Sequence, residues 1–304
     1  GCLRGLFTFS FNVKIWLSSF FSGLLLCLAI QQCCVNFLGL QAGQSESNYY
    51  SSLIRIQEAK QLDSAKICLL GSSIIGKLKG VEAGETGVMN FGVDGGCPET
   101  GLKILESEDF SHAEVYIVEA NTILRGFVGN DSESLLLQCV GSQWFKAGER
   151  IPMISYSNRP SSMVYSLARQ RIKGRGQKRN GSGPEGVPTI PEKIYDKQSS
   201  VDLLLTEEEI KYIELVAQRL RNLAGKSQVV VVRMPIEKSG AYSSERVEVA
   251  GILLADELGS NYVNLDGSYK DAKLRFSDGV HLTPASASKV MRDLRFSLGV
   301  SRSE

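Results

Sequence analysis

The stretch AKICLLGSSI, residues 65–74, is the one on which the reading of the fold turns. Its first six residues, Ala65–Leu70, form a short apolar run stopped by a glycine, the pattern of a strand buried in a sheet. Two further runs read the same way: AEVYIV at Ala113–Val118 and the valine-rich QVVVVR at Gln228–Arg233. Helical patterns lie between them, one at Pro98–Leu105 and a clearer one at Leu205–Ala224. In the second, Thr206 and Glu209 have the spacing of a capping box, the hydroxyl accepting a backbone N–H while the carboxylate reaches back. Ile210, Ile213, Ala217, Leu220 and Ala224 then share one face, widened by Val216 and Leu223. Strands alternating with helices imply parallel strands joined by crossover helices. The expectation is therefore an α/β three-layer sandwich with a parallel sheet over residues 65–304.

Working towards the N-terminus, residues 41–64 read as a polar, partly helical connector, and Ile15–Leu40 carries no charged residue. That run is long enough to cross a bilayer as a helix, which takes about 20 mainly apolar residues. Arg4 and Lys14 precede it and Glu46 is the first acidic residue after it. By the positive-inside rule, residues 1–14 are then cytoplasmic and the remainder lies outside, as a single-pass protein of the cell membrane. An uncleaved anchor is favoured over a cleaved signal peptide. The apolar core Ile15–Ile30 is long for such a peptide, and no A-x-A site follows it.

Working towards the C-terminus, the rhythm breaks at about 157–200. Arg169–Arg179 holds six basic residues, glycines and prolines crowd around it, and no apolar periodicity survives. This reads as a solvated insertion, or as a basic arm able to touch an anionic polymer or a phospholipid surface. The whole chain has a formal net charge of only +1, against a dedicated nucleic-acid binder. Its seven cysteines include no CxxC pair and no histidine at ligand spacing, so no metal site is expected. Cys68 and Cys97 could pair only if the fold brought them together. No nucleotide-binding glycine motif is present, and no cofactor is expected.

Four short segments could carry chemistry, and each taken alone has a plainer reading: an ordinary turn at Gly71-Ser72-Ser73, a structural histidine at His281, a mere turn at Gly92 and a helix cap at Asn121. Ser73 follows the first strand, at the edge where open α/β sheets bind ligands. Asp278-Gly279-Val280-His281 spaces a carboxylate so that it can hold one imidazole nitrogen and leave the other facing a hydroxyl. Asn90-Phe91-Gly92-Val93-Asp94-Gly95-Gly96 reads as a glycine-rich turn able to aim N–H groups at an oxyanion, and Asn121 follows the second strand run. His112, the second of two histidines, reads as a surface or packing residue.

Together these segments resemble the SGNH (GDSL-like) hydrolase family. Its GDS-type turn corresponds to Gly71-Ser72-Ser73, its isolated glycine to Gly92, its G-x-N-D segment to Glu119-Ala120-Asn121-Thr122 and its D-x-x-H to Asp278–His281. The resemblance implies Ser73 as nucleophile, His281 as base and Asp278 as its orienting acid. It further implies an oxyanion hole from Ser73, Gly92 and Asn121, on an SGNH/flavodoxin-like fold. Ser72, Glu119 and Thr122 depart from the family pattern. With an N-terminal anchor, the chain is similar to the membrane-tethered branch that includes teichoic-acid D-alanyl-transfer and alginate O-acetyltransferase-like proteins. The expected function is that of an extracytoplasmic serine esterase or acyltransferase on an ester, such as the O-acyl groups of an envelope polysaccharide. An acyl-donating membrane partner would suit it. The alternatives are a catalytically silent envelope-binding protein with the same fold, and a membrane assembly protein whose anchor and basic arm are the working parts.

Overall fold

A computed structural model of the chain describes residues 13–38, 47–78, 87–129, 131–151, 154–162, 164–165, 168, 204–237, 244–269 and 274–299. Five strands, β1 (Ala65–Ser72), β2 (Val88–Val93), β3 (Ala113–Glu119), β4 (Gln228–Arg233) and β5 (Asn261–Asn264), form one sheet in the order β2-β1-β3-β4-β5. Every pairing is parallel. The described helices are α1 (Val13–Leu38), α2 (Asn48–Lys60), α3 (Ser73–Gly76), α4 (Pro98–Ser107), α5 (Ile123–Val128) and α6 (Asp131–Val140). They continue with α7 (Gln143–Arg150), α8 (Glu207–Ala224), α9 (Glu245–Leu258), α10 (Leu265–Ser268) and α11 (Pro284–Ser297).

Successive side chains of a strand point to opposite faces, and this alternation sorts the strand residues into two cores. Cys68, Leu70, Tyr116, Val118 and Val231 join one core with α2, α4, α8 and α9. Ile67, Leu69, Val115, Ile117, Val230 and Val232 join the other with α3 and α11. The domain is thus three layers, helices on both faces of a parallel sheet, as the apolar runs implied.

The strand order places a topological switch between β1 and β3, because the chain leaves β1 for β2 on one side and returns on the other for β3. The crevice outside the carboxyl ends of those two strands is where such sheets take ligands. Ser73 leaves β1 there and Asn121 follows β3.

Two strands escaped the sequence reading. Asn90–Val93, expected as a turn, lies within β2, where Gly92 pairs with Gly71. β5 is a four-residue edge strand whose single buried residue, Val263, gives no periodic signal. Residues 48–60, read as connector, form α2 of the domain itself. Leu53, Ile54 and Ile56 are buried there, and Arg55 donates to the Gly92 carbonyl from Nε (3.0 Å) and Nη2 (2.6 Å). The same guanidinium pairs with Asp94 at 2.9 Å.

Helix α1 is long and apolar enough to cross a membrane over Val13–Cys33. Arg169–Arg179 and most of the insertion lie outside the described residues. Cys68 and Cys97 are buried free thiols, and His112 is exposed.

Helix α8 begins at the expected box: Thr206 Oγ1 accepts from Glu209 N at 3.3 Å, and Glu209 Oε2 accepts from Thr206 N at 3.0 Å. Thr206→Ala should cost about 1 kcal/mol. Leu220→Ala, which empties a site in the first core, should cost about 2–5 kcal/mol. Urea unfolding followed by circular dichroism checks both, and a smaller loss for Leu220 than for Thr206 would contradict the packing described.

Candidate active site

β1 ends in Gly71-Ser72, and α3 starts at once with Ser73. Ser72 caps that helix, its Oγ accepting from Ile74 N at 3.1 Å. The Ser72 hydroxyl is held in turn by Glu119, the last residue of β3, whose side chain is fully buried. Ser72 Oγ donates to Glu119 Oε1 at 2.8 Å and Ser72 N to Oε2 at 2.9 Å. Ile75 N donates to Oε2 at 3.1 Å and Thr122 Oγ1 to Oε1 at 2.9 Å. One carboxylate therefore gathers four donors and ties the turn after β1 to the end of β3. Burial pushes its pKa up, and the bonds from Ser72, Thr122 and Ile75 pull against that rise without cancelling it.

Ser72 and Thr122, two of the three positions where the expected resemblance fails, both bond to the third, Glu119. An aspartate at 72 would place a second carboxylate within hydrogen-bond distance of Glu119, so serine there goes with glutamate at 119. Gly71 is part of the same arrangement: a Cβ on it would lie 2.5 Å from Glu119 Oε2 and 2.7 Å from Ile75 Cγ2. Glu119 is the site residue that sequence reasoning passed over. A carboxylate directly after the run Val115–Val118, three residues before a threonine, was the available signal.

The imidazole beside Ser73 comes from far along the chain. Residues 275–283 form a tight loop closed by a bridge between Phe276 and Leu282, with Ser277 N donating to His281 O at 2.8 Å and Thr283 N to Arg275 O at 2.9 Å. Gly279 sits at φ 85°, a conformation natural only to glycine. This lets Asp278 Oδ1 accept from Val280 N (3.1 Å) and His281 N (2.8 Å). Leu282, buried in the second core, anchors the loop, and Pro284 opens α11 behind it. The second oxygen, Asp278 Oδ2, lies 2.7 Å from His281 Nδ1. His281 Nε2 lies 2.8 Å from Ser73 Oγ. Carboxylate, imidazole and half-buried hydroxyl thus stand in one hydrogen-bonded line, across 208 residues of sequence. Burial acts to raise the Asp278 pKa, but the bonds from His281 and Val280 outweigh it and bring it from an ordinary 3.8 to about 2.

The residues expected at the oxyanion hole are more engaged. Gly92 N donates to Asn90 Oδ1 at 2.9 Å. A Cβ on Gly92 would lie 2.4 Å from Gly76 Cα, so this glycine also lets α3 rest directly on β2. Asn121 is buried, and its side chain pairs both ways with the backbone of Met234: Nδ2 donates to the carbonyl at 3.2 Å and Oδ1 accepts from N at 2.7 Å. Asn121 is thereby fixed in orientation beyond the ends of β3 and β4. Among the described residues, no group of three or more His, Cys, Asp or Glu side chains could hold a metal ion.

No family model and no curated protein matches the chain. A solved crystal structure is similar at 13% identity and a TM-score of 0.38, covering 80% of this chain and 100% of that one. Its likeness bears on neither the family nor the chemistry.

Glu119→Gln keeps the size but turns an acceptor into an N–H₂ group facing N–H and O–H donors. It should cost about 1–3 kcal/mol, read as a lowered thermal midpoint. Full retention of the midpoint would show that the carboxylate does not hold the turn.

A carboxylate whose folded pKa lies below the unfolded one stabilises the fold above the unfolded value and loses that contribution as pH falls through the folded one. The melting difference between the native chain and Asp278→Asn should accordingly be constant above about pH 4. It should shrink as the pH falls towards the folded value of about 2. A difference that persists undiminished at the acid end would contradict the assigned bonds.

Proposed function

We propose that this chain is a membrane-anchored serine esterase or acyltransferase of SGNH type, with its domain outside the cytoplasm. The observation that carries the reading is the line Asp278 Oδ2–His281 Nδ1–His281 Nε2–Ser73 Oγ, at 2.7 and 2.8 Å. In this reading His281 Nε2 takes the Ser73 proton as Oγ attacks an ester carbonyl carbon. The carbonyl electron pair moves to oxygen. As the tetrahedral intermediate collapses, the ester C–O bond breaks and His281 returns the proton to the departing alkoxide. Water or a sugar hydroxyl then attacks the acyl-serine, His281 again carrying the proton. Asp278 keeps Nδ1 protonated and steadies the imidazolium. Ser73, Gly92 and Asn121 are the proposed oxyanion donors. Glu119 takes no proton in this scheme and positions the turn that presents Ser73.

Apolar helix α1 and the basic insertion favour a substrate at the membrane surface, with O-acyl groups of an anionic envelope polymer as the proposed class. An acyl-donating membrane partner fits transfer in place of hydrolysis.

A second reading, a silent binding protein on the same fold, draws on one observation. The Gly92 N–H is engaged by Asn90, and Asn121 is engaged by Met234. Labelling separates the two. The full chain in detergent should react with a fluorophosphonate probe, and Ser73→Ala and His281→Ala should not. With a short-chain ester, Asn121→Ala should slow turnover by about two to three orders of magnitude. A folded native chain that stays unlabelled sinks the catalytic reading and leaves the binding protein.

A further inference from the structure

The packing of α2 places the apolar helix and the Ser73 site at one edge of the sheet. Near the start of α2, Ser52 Oγ accepts from Asp94 N at 3.0 Å, and Asp94 directly follows the carboxyl end of β2. Past the other end of α2, the Leu62 carbonyl accepts from Ser111 Oγ at 2.7 Å, just before β3 begins. Helix α2 therefore runs from the carboxyl edge of the sheet to the amino edge. Tyr49 and Tyr50, in its first turn, line one cavity with Leu28 and Gln31 of α1. Gln31 Nε2 donates to the Asn158 carbonyl at 2.6 Å. Residues 13–27 of α1 are exposed throughout. The apolar helix thus leaves the domain at the edge where β1 delivers Ser73.

That edge also carries apolar side chains left in water. Asn121 and Thr122 lead from β3 straight into α5, which stays at the carboxyl edge. A Cβ on Gly126 would lie 2.9 Å from Oε2 of Glu99, in the first turn of α4. The Phe127 ring lies 5.9 Å from that of Tyr212, in the second turn of α8. Phe127 is 43% exposed and Val128 83%. Outside α1, eight large apolar side chains are exposed among the described residues, and six fall between Phe127 and Val164. That stretch joins α5 to the α1 junction. Within it, Trp144 borders the same cavity as Leu28, and the Leu135 carbonyl accepts from Tyr49 Oη at 3.4 Å. Exposed apolar surface of this kind marks a protein or a membrane contact. The apolar helix beside it selects the membrane, at whose interface tryptophan and tyrosine concentrate.

We propose that the crevice opens onto the bilayer surface and that Ser73 takes its ester from the membrane. The substrate class is a lipid-linked ester, and Phe127 and Val128 sit in the interface beside it. This rests on the serine esterase or acyltransferase reading and on α1 crossing a membrane. Ser73 Oγ attacks the carbonyl carbon of an ester held at the surface by its lipid. The ester C–O bond breaks, and the alcohol leaves with the proton carried by His281. Phe127 and Val128 take no part in those steps and hold the mouth of the crevice at the depth of the ester.

The chain carries two tryptophans, Trp16 and Trp144, so full-length protein with Trp16→Phe and Trp144→Phe accepts a single reporter. Phe127→Trp reports from α5, and Leu215→Trp from a point about 12 Å along α8 from its start. In phosphatidylcholine–phosphatidylglycerol vesicles, lipids brominated at the top of the acyl chains should quench the first and leave the second untouched. Equal quenching of the two, or none of the first, overturns the orientation. The substrate is read with acetoxycoumarin, either free in solution or attached to the headgroup of vesicle phosphatidylethanolamine. The native chain should favour the attached ester. Phe127→Ser combined with Val128→Ser should lower the ratio of attached to free turnover about tenfold, the effect of withdrawing roughly one apolar side chain from the interface. A native preference for the free ester, or an unmoved ratio in the folded double variant, overturns the substrate class. Fluorophosphonate labelling reads Ser73 separately. A labelled chain that favours the free ester sinks this proposal alone, whereas an unlabelled chain sinks the catalytic reading and the substrate class with it.

Discussion

The described site hangs on one buried carboxylate. Glu119 closes β3 with its side chain fully out of water, and donors from Ser72, Ile75 and Thr122 offset part of its cost of desolvation. Those donors lie on two neighbouring strands' exits, so the carboxylate works as a bracket across the topological switch. The sharp reversal from β1 into α3, the lack of a side chain at Gly71 and the choice of serine at 72 all follow from it. Remove the carboxyl group and four donors face nothing equivalent; remove the donors and a carboxyl group is stranded in the core.

A second constraint is backbone proximity. Gly92 and Gly76 approach so closely that neither strand nor helix could carry a side chain at the contact. Arg55 then fastens the Gly92 carbonyl from the α2 side. The edge strand β2 is thus gripped from both faces, by α3 through missing side chains and by α2 through a guanidinium. This is why a helix that looks polar and peripheral in the sequence belongs to the domain.

The apolar strands β1, β3 and β4 were legible because burial on both faces writes itself as continuous runs of Ile, Leu and Val. The capping box of α8 was legible because it is local. β2 was missed since Asn90 and Gly92 interrupt its pattern, and both answer to partners distant in the chain: Asn90 to the carbonyls of Gly76 and Leu78, Gly92 to Gly76. Ser73, Asp278 and His281 are named through the family resemblance, since alone each serves an ordinary turn, and only the fold could put them within 2.8 Å. The bracket around Glu119 is illegible for a different reason. It joins residues from two strand ends, and neither Ser72 nor Thr122 announces in the sequence that Glu119 is its partner.

The distance in sequence between Ser73 and His281 has a consequence for the order of events during synthesis. Strand β1 and its serine emerge early, directly after the apolar helix and α2, whereas the imidazole arrives on a loop held in place by Leu282 and α11. Until α11 docks on the second core, the Ser73 hydroxyl has no imidazole beside it. A nascent or truncated chain would therefore leave that hydroxyl to water alone. Completion of the fold and pairing of the hydroxyl are the same event.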